Sequence, residues 1–175
     1  MIYNFSLTFP VSRKDWNIND ISNKLYESGC DDSTVFTGIR SLVCVEFHRE
    51  SASAKDAIHS ATDDIMRAFP DTHILEARPD LVNMADIAEL VGQSRQNIRK
   101  LVDFPPPSAN TATKPLWHLY LIVKWYMEKT GIQFDNTLAE LSREAWMYNQ
   151  SLETNRMLNT LGHHPDQAGA FSRSG

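Results

Sequence analysis

Apolar and polar residues alternate strictly at the start of this chain: Tyr3, Phe5, Leu7 and Phe9 are separated by Asn4, Ser6 and Thr8. That period of two predicts a half-buried strand. Over residues 17–28 the spacing becomes helical, with Ile18, Ile21 and Leu25 on one side and Gly29 at the end. Residues 34–40 and 42–48 are rich in β-branched and aromatic side chains, and a tight turn within 38–41 pairs them as a hairpin. Residues 53–69 form a clear amphipathic helix. Ala54, Ala57, Ile58, Ala61, Ile65, Ala68 and Phe69 share one stripe, and Pro70-Asp71 stops it. Residues 73–77 read as a last short strand.

The resulting order, β-α-β-β-α-β, predicts a ferredoxin-like domain over residues 1–78. Pro79 and Asp80 read as a linker. Beyond it the helical period appears twice in quick succession. Ile87, Ala88 and Val91 line one face of a first helix, and Gly92 stands where the chain must turn, in a conformation that costs glycine little. Ile98, Leu101 and Val102 line the inner face of a second helix starting at Ser94, whose hydroxyl can cap it. This is the spacing of a helix-turn-helix within residues 81–130. The second helix turns Arg95, Gln96, Arg99 and Lys100 outward, residue types that read base edges and grip phosphates in a major groove.

The rest of the chain predicts packing elements. Phe104 is followed by three prolines, which exclude a helix. Residues 108–114 are small and polar and suit a hairpin tip. From Trp117 the run WHLYLIVKWYM predicts a largely buried helix. Residues 137–161 predict a second long helix, with Leu138, Leu141, Ala145, Tyr148 and Leu152 at heptad spacing for just over two heptads. Residues 162–175 read as a flexible tail. The expected class is α+β: a ferredoxin-like domain, a helix-turn-helix and a long C-terminal helix.

Charge complicates the picture. The formal net charge is −5, the wrong sign for a nucleic-acid binder, but it is unevenly spread. Residues 1–77 hold 7 Lys and Arg against 12 Asp and Glu, residues 78–129 hold 7 against 5, and residues 130–175 hold 3 against 5. Only the segment with the helix pair is positive. An acidic remainder restricts sequence-independent binding, which rests on phosphate neutralisation. No run approaches the roughly 20 apolar residues of a membrane span, and the N-terminus lacks the basic start and apolar core of a signal peptide. Cys30 and Cys44 form neither a CxxC pair nor a disulfide framework. A cytoplasmic protein is expected.

Within residues 81–128, Ile87-Ala88-Glu89-Leu90-Val91-Gly92, Ser94-Arg95-Gln96, Ile98 and Leu101 precede Phe104-Pro105 and then Trp117, with Val123 and Trp125 in the following helix. This segment resembles the winged helix-turn-helix of the MerR-like and AlpA/excisionase-like regulators. Those proteins tend to show a similar helix pair, then an FP step, a wing, and a Trp before a further helix. The chain as a whole is similar to uncharacterised bacterial proteins that join a small α+β domain to such a helix-turn-helix. Gln93 departs from the Val usual in the family, and three prolines with Ser108-Ala109-Asn110-Thr111 replace a Gly-rich wing, so wing formation is left open. The resemblance implies dimerisation through a C-terminal helix, here Leu138, Leu141, Ala145, Tyr148 and Leu152. A face or edge of the N-terminal sheet is the other candidate.

No phosphate-binding glycine loop, G-x-S-x-G or H-E-x-x-H occurs, so no catalytic residue, cofactor or enzyme activity is expected. Asp31-Asp32 and Asp63-Asp64 read as loop and solvated helix face. Adjacent His163 and His164, with Asp166, do not make a tetrahedral metal site in a tail, and His48, His59 and His73 are scattered. The expected partner is double-stranded DNA. Arg95 and Gln96 are the candidate base readers; Arg99 and Lys100 hold phosphates; Asn97 does either or supports Ser94; Lys114 is a phosphate or minor-groove contact. Trp117, Tyr120, Trp125, Tyr126, Trp146 and Tyr148 are expected at an interface. The reading is a bacterial or phage homodimeric transcription regulator, acting as a repressor, with a small-molecule or protein effector at the N-terminal domain. An antitoxin- or adaptor-type interaction module and an excisionase-like architectural DNA protein are the alternatives.

Overall fold

The computed structural model describes residues 1–12, 17–38, 41–111 and 114–162, apart from the side chain of Thr111. Those residues form a mixed α+β structure with two antiparallel sheets. The first sheet holds β1 (Ile2–Pro10), β2 (Ser33–Thr37), β3 (Leu42–Glu50) and β4 (Glu76–Arg78), in the spatial order β2-β3-β1-β4. Helix α1 (Ile18–Glu27) connects β1 to β2, and α2 (Ala54–Ala68) lies between β3 and β4. Asn17 and Ser53 cap these helices, accepting the backbone N–H groups of Asn19 and Asp56.

The alternation of β1 sets the core. Phe5 pairs with Phe47, Leu7 with Val45 and Phe9 with Val43, and the Phe5 and Phe47 rings stack at 5.1 Å. Ile21 and Leu25 of α1 and Ala57, Ile58, Ala61 and Ile65 of α2 close over them. The alanines let α2 approach the sheet. Asn4, Glu46 and His48 lie exposed on the other face. Cys30 is buried, and burial pushes its thiol up to about 11, so it packs as a neutral group. Residues 39 and 40, at the expected β2–β3 turn, lie outside the described residues.

Two strands differ from expectation. β2 ends at Thr37, and β4 begins at Glu76 instead of residue 73. The second shift has a cause: Arg156 donates to the carbonyls of Ile74 and Leu75, at 3.3 and 2.7 Å.

The second half holds β5 (Leu81–Asn83), α3 (Met84–Val91), α4 (Arg95–Arg99), β6 (Ala109–Thr111), β7 (Lys114–His118) and α5 (Leu119–Thr130). Its strands run in the order β5-β7-β6. Trp117 and His118, expected in the helix, belong to β7, and α5 starts two residues later than expected, at Leu119. Ile87, Ile98, Trp117, Ile122 and Tyr126 form a separate small core.

Helix α6 (Asn136–Thr160) joins the halves. It packs on α2, β1 and β4 as well as on α5. This corrects the expected dimer interface. Leu141 and Ala145 are buried in the first core, Tyr148 and Leu152 pack against it, and Leu138 is half-buried within the same chain. Two helices and a three-residue β4 leave part of the sheet face uncovered, and α6 fills that space. The heptad stripe records burial, and the tertiary structure supplies the surface that buries it. Residues 137–161 are therefore not a detached unit. The tail beyond Gly162 lies outside the described residues. No helix among the described residues is long and apolar enough to cross a membrane.

Pro79-Asp80 is likewise no solvated linker. Asp80 is 4% exposed. Its carboxylate meets His118 Nδ1 at 2.6 Å and accepts from Asn149 Nδ2 at 2.8 Å, while its carbonyl accepts the Leu119 N–H at 2.7 Å. A buried carboxylate is costly without such partners. The His118 ring stacks on Trp146 at 4.4 Å, and Tyr120 flanks the same indole. Of the aromatics expected at an interface, Tyr120 and Trp146 stand between the halves of one chain, while Trp117, Trp125 and Tyr126 belong to the second core and Tyr148 packs against the first.

Candidate nucleic-acid interface

The helix pair is built from local signals. Asn83 caps α3 reciprocally with Asp86: the Asn83 side chain accepts from Ala85 and Asp86, and Asp86 Oδ2 accepts the Asn83 N–H at 2.8 Å. Gly92 ends α3 with φ 64° and ψ 30°. A Cβ there would meet nothing within 4 Å, so the backbone conformation, not crowding, calls for glycine. Ser94 Oγ then accepts the Asn97 N–H at 3.2 Å and starts α4.

One residue on each helix fixes their packing. Ile87 and Ile98 are fully buried, and Ala88, Val91 and Leu101 pack against them. Each such isoleucine contributes roughly 1.5–3 kcal/mol by leaving water. The expectation for Val102 is wrong: it is 81% exposed. The helix ends at Arg99 with Lys100 as its C-cap, so Val102 lies beyond the last turn and does not share the inner face of Ile98.

The Phe104-Pro105 step anchors the next segment. Phe104 meets Trp117, Trp125 and Tyr126 edge-on, with centroids 6.0, 5.4 and 6.4 Å away. Trp117 Nε1 donates to the Pro105 carbonyl at 2.9 Å. The chain then folds into the β6–β7 hairpin, closed by Ser108, whose N–H reaches the Leu116 carbonyl at 2.8 Å and whose Oγ accepts the His118 N–H at 3.2 Å. Strand β5 pairs with β7 on the other side. A three-stranded sheet therefore stands beside the helix pair. Residues 112–113, at the hairpin tip, lie outside the described residues.

On this frame Ser94, Arg95, Gln96, Asn97, Arg99 and Lys100 are all exposed along α4 and its ends, and Lys114 is exposed where β7 leaves the tip. Among the described residues, Arg95, Arg99 and Lys100 have no carboxylate partner. Arg49, Arg67, Arg78, Arg143, Arg156 and Lys124 form ion pairs, while the isolated, exposed Lys55 and Lys129 have no carboxylate partner among the described residues either. Three unneutralised cations and two amides within six residues make a surface suited to anionic, hydrogen-bonding partners.

Some of the surroundings escaped the sequence reading. Asp80, His118, Trp146 and Asn149 converge from positions far apart in sequence, and no local spacing marks them. A cleft of about 600 Å³ lies between the exposed sheet face, with Glu46 and His48, and the start of the helix pair at Val82 and Asp86. His163, His164 and Asp166 lie outside the described residues. Comparison with known proteins finds no matching family model, no matching curated protein and no matching solved structure.

Proposed function

We propose that this chain is a sequence-specific DNA-binding protein that sets α4 in the major groove. The observation that carries this reading is the row of cations on α4 that, among the described residues, no carboxylate neutralises, held outward by the burial of Ile87 and Ile98 in the second core. The helix pair then acts as a helix-turn-helix, with the β6–β7 hairpin as its wing. Arg95 and Gln96, in the first turn, are the base readers; a bidentate Arg–guanine or Gln–adenine pair is worth about 1–3 kcal/mol of discrimination. Arg99, Lys100 and Lys114 hold phosphates, and Ser94 and Asn97 fix the start of the helix. The βαββαβ order of the first half is that of a ferredoxin-like domain.

Such a helix reads only a short half-site, so a homodimer on a two-fold site is the matching assembly. Occupancy of a promoter by such a dimer represses transcription, which makes repression the simplest action. The cleft beside Asp86 is the natural place for an effector, because Asp86 also holds the N-terminus of α3.

Selection of bound duplexes from random sequence, followed by fluorescence anisotropy at two salt concentrations, tests this. The wild-type chain enriches a defined sequence and binds it more weakly at higher salt. The Arg95→Ala/Arg99→Ala variant loses about 100-fold or more in affinity if each arginine carries its expected share, with unchanged thermal stability. Absence of any enriched sequence, or equal binding by the variant, overturns the reading.

A further inference from the structure

The first sheet has two edges, and they are treated differently. At β4 the edge is closed by α6. Asn149 accepts the Ala77 N–H and donates to the Ala77 carbonyl, both at 2.8 Å, and Arg156 takes the carbonyls of Ile74 and Leu75. At β2 no described residue makes a comparable closure. The bonds from His48 N–H to the Asp32 carbonyl (2.9 Å) and from Gly38 N–H to the Leu42 carbonyl (2.7 Å) fix the phase of the strand. Even-numbered residues of β2 bond to β3. The N–H and C=O groups of Ser33, Val35 and Thr37 therefore point out of the sheet, and no described residue bonds to them.

Exposed edges are normally blunted by charge, proline or a bulge. Residues 33–37 read Ser-Thr-Val-Phe-Thr, pair in regular register with β3, and leave Phe36 46% exposed. We propose that β2 is the docking strand for a second copy of this chain, the two β2 strands pairing antiparallel about a two-fold axis through Val35. That axis places Val35 opposite its own counterpart and Ser33 opposite Thr37. These are the residues with outward-facing backbone groups, so each pair exchanges two hydrogen bonds. Phe36 comes opposite Thr34 of the other copy and loses exposed surface. The segment is uncharged, so the strand meets itself without the repulsion that like charges would impose. Such an isologous contact closes at two copies. It supplies the dimer surface that α6, turned inward, does not, and its test contains no DNA, so it stands or falls apart from the proposed function.

Sedimentation of the full chain over a range of concentrations reads the assembly directly. Wild type shows twice the 19.9 kDa chain mass. Thr37→Pro removes an outward N–H and no bond to β3, and Thr37 is exposed, so the variant keeps its circular dichroism and self-associates at least tenfold more weakly. Thr37→Val retains the N–H and the dimer. Should Thr37→Pro fail to fold, Val35→Cys provides the second measurement: a chain with Cys at the axis cross-links to a dimer under mild oxidation, and wild type, with Cys30 and Cys44 alone, does not. A wild-type monomer at all concentrations overturns the proposal. So does a folded Thr37→Pro chain that dimerises undiminished, or a Val35→Cys chain that stays uncross-linked in a dimer; either result places the second copy elsewhere, the exposed Met147 and Met157 of α6 being the next surface to probe.

Discussion

Arg49 in the first half and the arginines of α4 in the second handle positive charge in opposite ways. In the first half Arg49 is 7% exposed and fully engaged. It donates to both oxygens of Asp32 at 2.8 and 3.0 Å, to Asp64 at 2.9 Å, to Ser60 at 3.1 Å and to the Gly29 carbonyl at 3.1 Å, and it lies 4.9 Å from the Phe47 ring centre. Those carboxylates hold its guanidinium in the charged form. In the second half Arg95 and Arg99 stand in solvent, without carboxylate partners among the described residues. The first arrangement locks α2 and the β2 entry onto the sheet. The second leaves charge free for a partner. Net charge alone hides this difference, because the acidic excess of the first half is partly consumed by its own arginine.

The largest effect is expected from breaking the first arrangement. Arg49→Leu leaves Asp32 without its cation and Asp64 with Arg67 alone, in a part-buried site, and costs about 3 kcal/mol, seen as a lower midpoint in urea unfolding. Binding of the selected DNA per folded molecule stays unchanged, which separates structural from partner-facing arginines. A stability loss under about 1 kcal/mol would mean that water screens the cluster.

A smaller effect is expected where the halves meet. Asp80→Ala strips His118 and Asn149 of their shared acceptor and costs about 1–3 kcal/mol. Proteolysis should then cut more readily around residues 79–83, since the β4–β5 junction loses a tie to α6. Unchanged stability and protection would show that water replaces the carboxylate. The smallest effect sharpens the second core. The Tyr126 hydroxyl is buried with no hydrogen-bond partner among the described residues, and burial raises its pKa. Tyr126→Phe removes that unmet group and is expected to be neutral or to stabilise by up to about 1 kcal/mol. A clear loss in thermal unfolding would reveal a bound water serving the hydroxyl.

Much of the frame was legible because it is local. Alternation along β1, the stripe of α2, the cap at Ser94 and the left-handed turn at Gly92 each follow from residues a few positions apart. So does the outward face of α4, because the buried position of Ile98 sets the direction of its neighbours. Val102 failed for a reason of the same kind. Its inward placement assumed one more helical turn, but α4 ends at Arg99 with Lys100 as its C-cap.

The order of residues dictates where most strands and helices lie, which side of each is apolar, and which cations cluster on α4. It does not dictate what covers each apolar side. The stripe of α6 is satisfied equally by a second copy or by the same chain's sheet, and the choice of the sheet emerges only in the folded packing. Asp80, His118, Trp146 and Asn149 meet across as many as 69 positions of sequence, and no period along the chain encodes such a meeting. Hydrophobic patterning specifies how much surface must leave water; the identity of the surface that receives it depends on distances that exist only once the chain has folded.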